Sequence, residues 1–153
     1  MKHVDMLVQD CGDPALQAAF RAYFAELGVQ IRDWDGLFRE IGAGPDAFFV
    51  RRDEAGQIVG FLLFAVSEAT AWRGFFTAKI GCVEEFWVDP ACRGQGHGAA
   101  LLARAEAHMK QEGCAFILLT TDTAPEFYGK RGYSPQPGIG AKNGDMVYAK
   151  MLK

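Results

Sequence analysis

Positive charge is in short supply in this chain. Sixteen Lys and Arg stand against nineteen Asp and Glu, so the net charge is −3 and the isoelectric point is about 5.6. A nucleic-acid binder needs a basic face, and this balance argues against one. Long apolar runs are also missing. The longest lies near "IVGFLLFAV", residues 58–66, too short to cross a bilayer. No membrane partner is expected. The opening "MKHVDMLVQD" carries one lysine and no apolar core, so no signal peptide is read there. The four cysteines, Cys11, Cys82, Cys92 and Cys114, share no C-x-x-C spacing. Without an export signal they read as reduced thiols in a cytoplasm rather than a disulfide framework. The histidines His3, His97 and His108 form no cluster with Cys or Asp at metal-ligand spacing, so no metal is expected. His3 and His108 read as surface residues. Repeats, low-complexity tracts and linkers are absent.

What is present suits one globular domain. The 153 residues are half hydrophobic and 23% charged, which predicts a single domain over 1–153. "KHVDMLV" (2–8) alternates like a first strand. Asp13-Pro14 opens a helix as N-cap and first residue, Leu16, Phe20, Tyr23, Phe24 and Leu27 repeat at helical spacing, and Gly28 stops it. Residues 33–44 read as a shorter helix with an acidic start. Residues 46–52 and 58–69 form a hairpin, and a further strand within 72–88 ends at Val88. The strongest helix signal covers 98–112, followed by a buried strand (115–122), a short helix (124–132) and a last strand (145–152). The order is β-α-α-β-β-β-α-β-α-β. Short connections make the three central strands antiparallel, and the strand–helix–strand unit from 84 to 121 makes two strands parallel. The class is α/β (or α+β): a mixed, mostly antiparallel central sheet flanked by helices. Arg51-Arg52 and Lys130-Arg131 read as solvated ends of elements.

Gly94, Gly96 and Gly98 sit at every second position at the mouth of the strongest helix. Glycine there costs about 1 kcal/mol per position relative to alanine, so the backbone must be needed bare. A Walker A loop is excluded because no Lys-Ser/Thr follows. The string Gly94-Gln95-Gly96-His97-Gly98-Ala99 matches a dinucleotide fingerprint literally. Its context is wrong: five residues, Asp89 to Arg93, separate it from the strand, and no acidic residue follows at a second strand end. Read instead as R-x-x-G-x-G, the same residues place a helix N-terminus, with its unpaired N–H groups and positive dipole end, beside Arg93. That is an anion site suited to a pyrophosphate. A plain glycine-rich cap is the structural alternative.

The stretch "VEEFWVDPACRGQGHGAALLARAE" resembles the acyl-CoA-binding motif of the GNAT superfamily of N-acyltransferases. A second element of that family, A-x-x-F-Y-x-x-x-G-F/Y, is matched by Ala124, Phe127, Tyr128, Gly132 and Tyr133. The resemblance is sharp over 83–133 and implies acetyl-CoA as cofactor. It implies that Arg93, Gly94, Gln95, Gly96, His97, Gly98 and Ala99 receive the pyrophosphate, with His97 offering its backbone. Phe86, Trp87 and Val88 would line the thioester by main chain, with the Val88 N–H stabilising the oxyanion. Tyr128 matches the family's general acid, although a packed aromatic would look the same. Glu84 shares a face with Phe86 and Val88 and is the candidate base. It could equally bind a cationic substrate or face solvent. Glu85 points the other way. Many members carry an asparagine where this chain has Thr121, so Thr121 or Thr123 would supply a hydroxyl instead.

The acceptor site is implied to lie near the first two helices and the loop after the third strand. Asp33, Trp34 and Asp35 fall there, with Trp72 in the later loop. With Glu84 they would make an acidic, aromatic pocket for a small primary amine, unless Asp33 and Asp35 only cap their helix. Cys82 and Cys92 are not placed for an acyl-enzyme, so transfer would be direct. The rival readings are a non-catalytic acyl-CoA-binding module, a protein N-acetyltransferase and, on the glycine string alone, a nicotinamide-dependent oxidoreductase. The resemblance also implies a capacity to form a homodimer.

Overall fold

A computed structural model describes every residue except 1, 72, 73, 75, 122, 123, 140–143 and 153. The positions of Trp72 and Thr123 therefore lie outside the described residues. The elements run β1 (Val4–Val8), α1 (Pro14–Leu27), α2 (Trp34–Ala43), β2 (Asp46–Arg52), β3 (Ile58–Ala71) and β4 (Phe76–Val88). After a short 3-10 turn (Pro90–Cys92) come α3 (His97–Gln111), β5 (Phe116–Thr121), α4 (Pro125–Gly129), β6 (Ser134–Pro135) and β7 (Met146–Met151). The sheet has the order β1-β2-β3-β4-β5-β7-β6. β4 and β5 pair in parallel, while β1 with β2, β5 with β7 and β6 with β7 are antiparallel. This is the mixed, mostly antiparallel sheet expected. The differences from expectation are local. β6 is an extra two-residue strand, and α4 is shorter than 124–132.

The helix ends follow local chemistry. Asp13 accepts a hydrogen bond from the Ala15 N–H, Pro14 occupies the first turn, and Gly28 closes α1 at φ +73°. Asp33 caps α2 through the Gly36 N–H. α3 starts one residue earlier than expected, at His97, and buries Leu101, Leu102, Ala105 and Met109.

By its internal contacts the chain divides into two compact units, residues 1–64 with 85–105 and residues 65–84 with 106–153. In the first, Leu16, Ala19, Phe20, Phe38 and Ile41 from the helices pack on Phe48, Val50, Phe61, Leu63 and Trp87 from the strands. Phe20 stacks on both Phe24 and Phe61. In the second, β5 pairs along its whole length with β7, and Ile117, Leu119 and Val147 are buried.

Candidate active site

The end of β4 and the start of α3 are built together in the first unit. The Asp89 N–H bonds the Val59 carbonyl at 2.8 Å, which carries β4 to its end beside β3. Strand alternation then points the Val88 N–H the opposite way, away from β3. Among the described residues β4 pairs with β5 from Ile80 to Cys82, and six further residues of β4 follow that register. Close approach fixes the neighbouring strand. A Cβ on Gly60 would lie 2.6 Å from the Trp87 carbonyl oxygen and 3.2 Å from the Val88 Cα.

Beyond the strand, Asp89 caps the 3-10 turn through the Ala91 N–H at 3.0 Å. Gly94 and Gly96 then take left-handed φ of +81° and +86°, and the side a Cβ would occupy is open at both. A side chain at either would be strained whatever the space. Gly96 accepts the first bond of α3, from the Ala100 N–H at 3.1 Å. The N–H groups of His97, Gly98 and Ala99 therefore have no acceptor within the helix. A bare left-handed turn feeding a 15-residue helix fits the pyrophosphate of acetyl-CoA.

Arg93 is committed to the protein. Its Nε donates to the Val88 carbonyl at 2.9 Å, and Nη2 donates to both carboxylate oxygens of Glu26, at 2.6 and 2.8 Å. The Trp87 indole N–H reaches the same carboxylate at 3.2 Å. The Arg93 hydrogen bond holds Glu26 below the usual carboxylate range, and the Trp87 bond adds to it. Trp87 is buried against Phe61, while Phe86 and Val88 are half-buried.

The two strand glutamates separate as alternation predicts. Glu84 is exposed, whereas Glu85 is half-buried and accepts a hydrogen bond from the Tyr23 hydroxyl of α1. Burial pushes the Glu85 carboxyl up from its ordinary value, and the Tyr23 bond opposes that. Tyr23 and Glu26 were not singled out from sequence, yet the signal was there. They are three apart on α1 and meet Glu85 and Trp87, two apart on β4.

His97 is not a loop residue with a free ring. It is buried, and its Nδ1 lies 3.1 Å from Arg51 Nη1. Nor is Arg51 a solvated strand end. It forms a two-pronged pair with Asp5, at 2.7 and 3.0 Å, directly across the β1–β2 register. His3, expected on the surface, packs edge-on against the His97 ring with centroids 4.5 Å apart. Arg52 likewise pairs with Asp13. Asp33 is occupied as a helix cap, and Trp34 packs among Phe24, Phe38 and the Arg21 guanidinium. Neither is visibly held ready for a ligand.

The second unit carries the remaining candidates. Tyr128 is buried in α4 beside Tyr133, and burial pushes its hydroxyl up to about 12. It therefore keeps its proton at physiological pH and has an O–H available to donate. An ordinary thiol titrates near ~8.5, so a complete handover from Tyr128 to a thiolate is uphill. Donation that stabilises developing charge is the chemistry this group can perform. Thr121 Oγ1 accepts from the Ala124 N–H at 3.0 Å and shapes the entry to α4, leaving its own O–H as a donor. Arg131 folds over Phe127 at 3.9 Å and donates to its carbonyl.

An acyl-CoA-binding transferase is the class that this turn and sheet define. The chain matches the Acetyltransferase (GNAT) family over residues 13–133 and belongs to it. The domain is that of an acetyl-CoA-dependent N-acetyltransferase. It is 33% identical to mycothiol acetyltransferase of Saccharomonospora viridis over 62% of this chain, a match spanning only 32% of that protein. It is 27% identical to glucosamine 6-phosphate N-acetyltransferase 1 of Oryza sativa subsp. japonica, over 75% of this chain and 81% of that protein. The fold matches Neisseria gonorrhoeae N-acetylglutamate synthase complexed with coenzyme A and N-acetyl-glutamate. There the TM-score is 0.70 at 17% identity, over 98% of this chain and 35% of that one. Among the described residues no helix is long and apolar enough to cross a membrane.

Proposed function

We propose that this protein transfers the acetyl group of acetyl-CoA directly to a primary amine of a small molecule. The observation that carries it is the left-handed turn Gly94–Gly96, which opens bare N–H groups at the start of α3 just past the end of β4. The backbone of 94–99 receives the pyrophosphate, and Arg93 braces the turn against Glu26 and Val88. The Val88 N–H receives the oxyanion. Tyr128 donates to the departing sulfur. Glu84 takes the proton from the acceptor amine. The half-burial and raised pKa of Glu85 favour that residue as a second candidate for the same role.

Several features support a cationic acceptor. Glu85 of β4 and Glu26 of α1 lie beside the aromatic rings of Tyr23 and Trp87. The two relatives above are named for small-molecule acceptors. The four free cysteines and acidic charge suit a reducing cytoplasm.

The test is acetyl-CoA turnover, followed by thiol release, across a panel of small amines and lysine-bearing peptides. Acetylation of a small amine, lost in Glu84→Gln or Glu85→Gln, supports the proposal and identifies the base. Turnover with peptides alone transfers the function to a protein N-acetyltransferase. Tight acetyl-CoA binding with no turnover on any amine leaves a binding module.

A further inference from the structure

At the first residue of α3 a buried polar side chain is tied into a network that no step of acetyl transfer uses. His97 is 6% exposed. Arginine only donates, so the Arg51–His97 contact fixes Nδ1 as acceptor and leaves the ring proton on Nε2. The charged and titratable groups facing the ring are His3 just before β1, Asp5 from β1 and Arg51 from β2. Arg51 is held in place by both Asp5 oxygens, and these two side chains are 14% and 16% exposed. A chain of contacts thus runs from the sheet edge through Asp5, Arg51 and His97 to the turn that ends in Gly96.

We propose that His97 is a positioning residue for the phosphate-binding turn, and that protonating its ring releases the turn and weakens acetyl-CoA binding in acid. The proposal rests on the assignment of residues 94–99 to the pyrophosphate. A second proton on the ring must enter at Nδ1, where it replaces an acceptor by a donor and sets imidazolium against guanidinium. The site is nearly closed to water, so the new charge is not solvated in place. The ring has to leave, and the first N–H groups of α3 move with it. The neutral ring is favoured mainly by burial, then by His3 and Arg51, with Asp5 opposing. Its folded pKa is therefore depressed. Stability from the neutral ring is present above the ordinary histidine pKa and is lost as pH falls through the folded value.

The experiment is calorimetric titration of acetyl-CoA into the purified protein between about pH 8 and about pH 5, the range in which histidine charge changes. The ligand's own phosphate titrates near pH ~6 and contributes to every curve. The comparison with His97→Asn removes that shared part. Asn keeps an acceptor in place of Nδ1 but carries no proton equilibrium. Below pH ~8 its acetyl-CoA affinity should fall only with the ligand's own dependence. The wild type should lose up to about tenfold more per pH unit beneath the His97 transition. His97→Leu, without an acceptor, should bind more weakly at every pH. Arg51→Gln removes the facing cation and should move the acid loss to higher pH. If His97→Asn shows the same acid loss as the wild type, or if folded His97→Leu binds equally well, the proposal is wrong. Should His97→Leu not fold, the wild-type and His97→Asn curves decide alone. Gly96→Val separates the underlying assignment. Unchanged acetyl-CoA affinity in that variant overturns the pyrophosphate turn itself, whatever His97 does.

Discussion

Glu26 grips Arg93 with both carboxylate oxygens, at 2.6 and 2.8 Å, while the same guanidinium holds the carbonyl of Val88 through Nε. One arginine thus joins the last turn of α1, the end of β4 and the glycine turn. The arginine of the family motif braces the strand end against α1.

Removing the brace should therefore act on the turn more than on charge. Both side chains are nearly half exposed, so a double-mutant cycle of Glu26→Ala and Arg93→Ala should return a coupling of at most about 1 kcal/mol. Arg93→Ala should weaken acetyl-CoA binding with a shallower salt dependence than loss of a direct phosphate contact would give. Titration at low and high salt checks this.

Tyr128→Phe should leave acetyl-CoA affinity unchanged and reduce kcat by about 10²–10⁴-fold. Because the wild-type hydroxyl is pushed up to about 12, no alkaline loss of activity from this group is expected within the ordinary assay range. Calorimetry and a kcat profile over pH test both parts.

Glu85 should leave its mark on stability. Its carboxyl is raised above 4.5, chiefly by burial. The folded state then holds the proton where the unfolded state has lost it, so stability falls as pH rises from about 4.5 through the raised value. Glu85→Gln should remove that fall, and Tyr23→Phe should extend it to higher pH. Urea unfolding at a series of pH values reads the slopes directly.

Gly60→Ala should damage the strand end. The new methyl would meet the Trp87 carbonyl oxygen at 2.6 Å, and backbone cannot turn aside as a side chain can. A loss of about 1–3 kcal/mol is expected, with turnover falling further because Val88 sits at the same contact. Thermal unfolding and kcat together test it.

The parts that were legible in the sequence are those with local causes. Asp13, Pro14 and Gly28 mark both ends of α1 because capping depends on the residues beside the helix. Alternation along β4 correctly put Glu84 and Glu85 on opposite faces. It did not say which face α1 would cover, and so which of the two carboxylates is enclosed. Arg51 finds Asp5 across 46 positions, and only the β1–β2 register makes them neighbours. The same holds for His97, which packs against His3 and Arg51, far from it in the chain. Ser134–Pro135 is a strand only because β7 lies beside it.

Helix α1 is fastened by two different chemistries along its length. Leu16, Ala19 and Phe20 are sealed into the aromatic core, Tyr23 both packs on Phe61 and bonds Glu85, and Glu26 is fastened by hydrogen bonds to Trp87 and Arg93. Water can replace hydrogen bonds far more readily than it can replace ring stacking. The amide hydrogens of the last turn should therefore exchange with solvent well before those of Ala19 and Phe20, making the helix a stiff stalk with a compliant tip. A cationic molecule arriving at Glu85 or Glu26 would compete for the very bonds that hold the tip down.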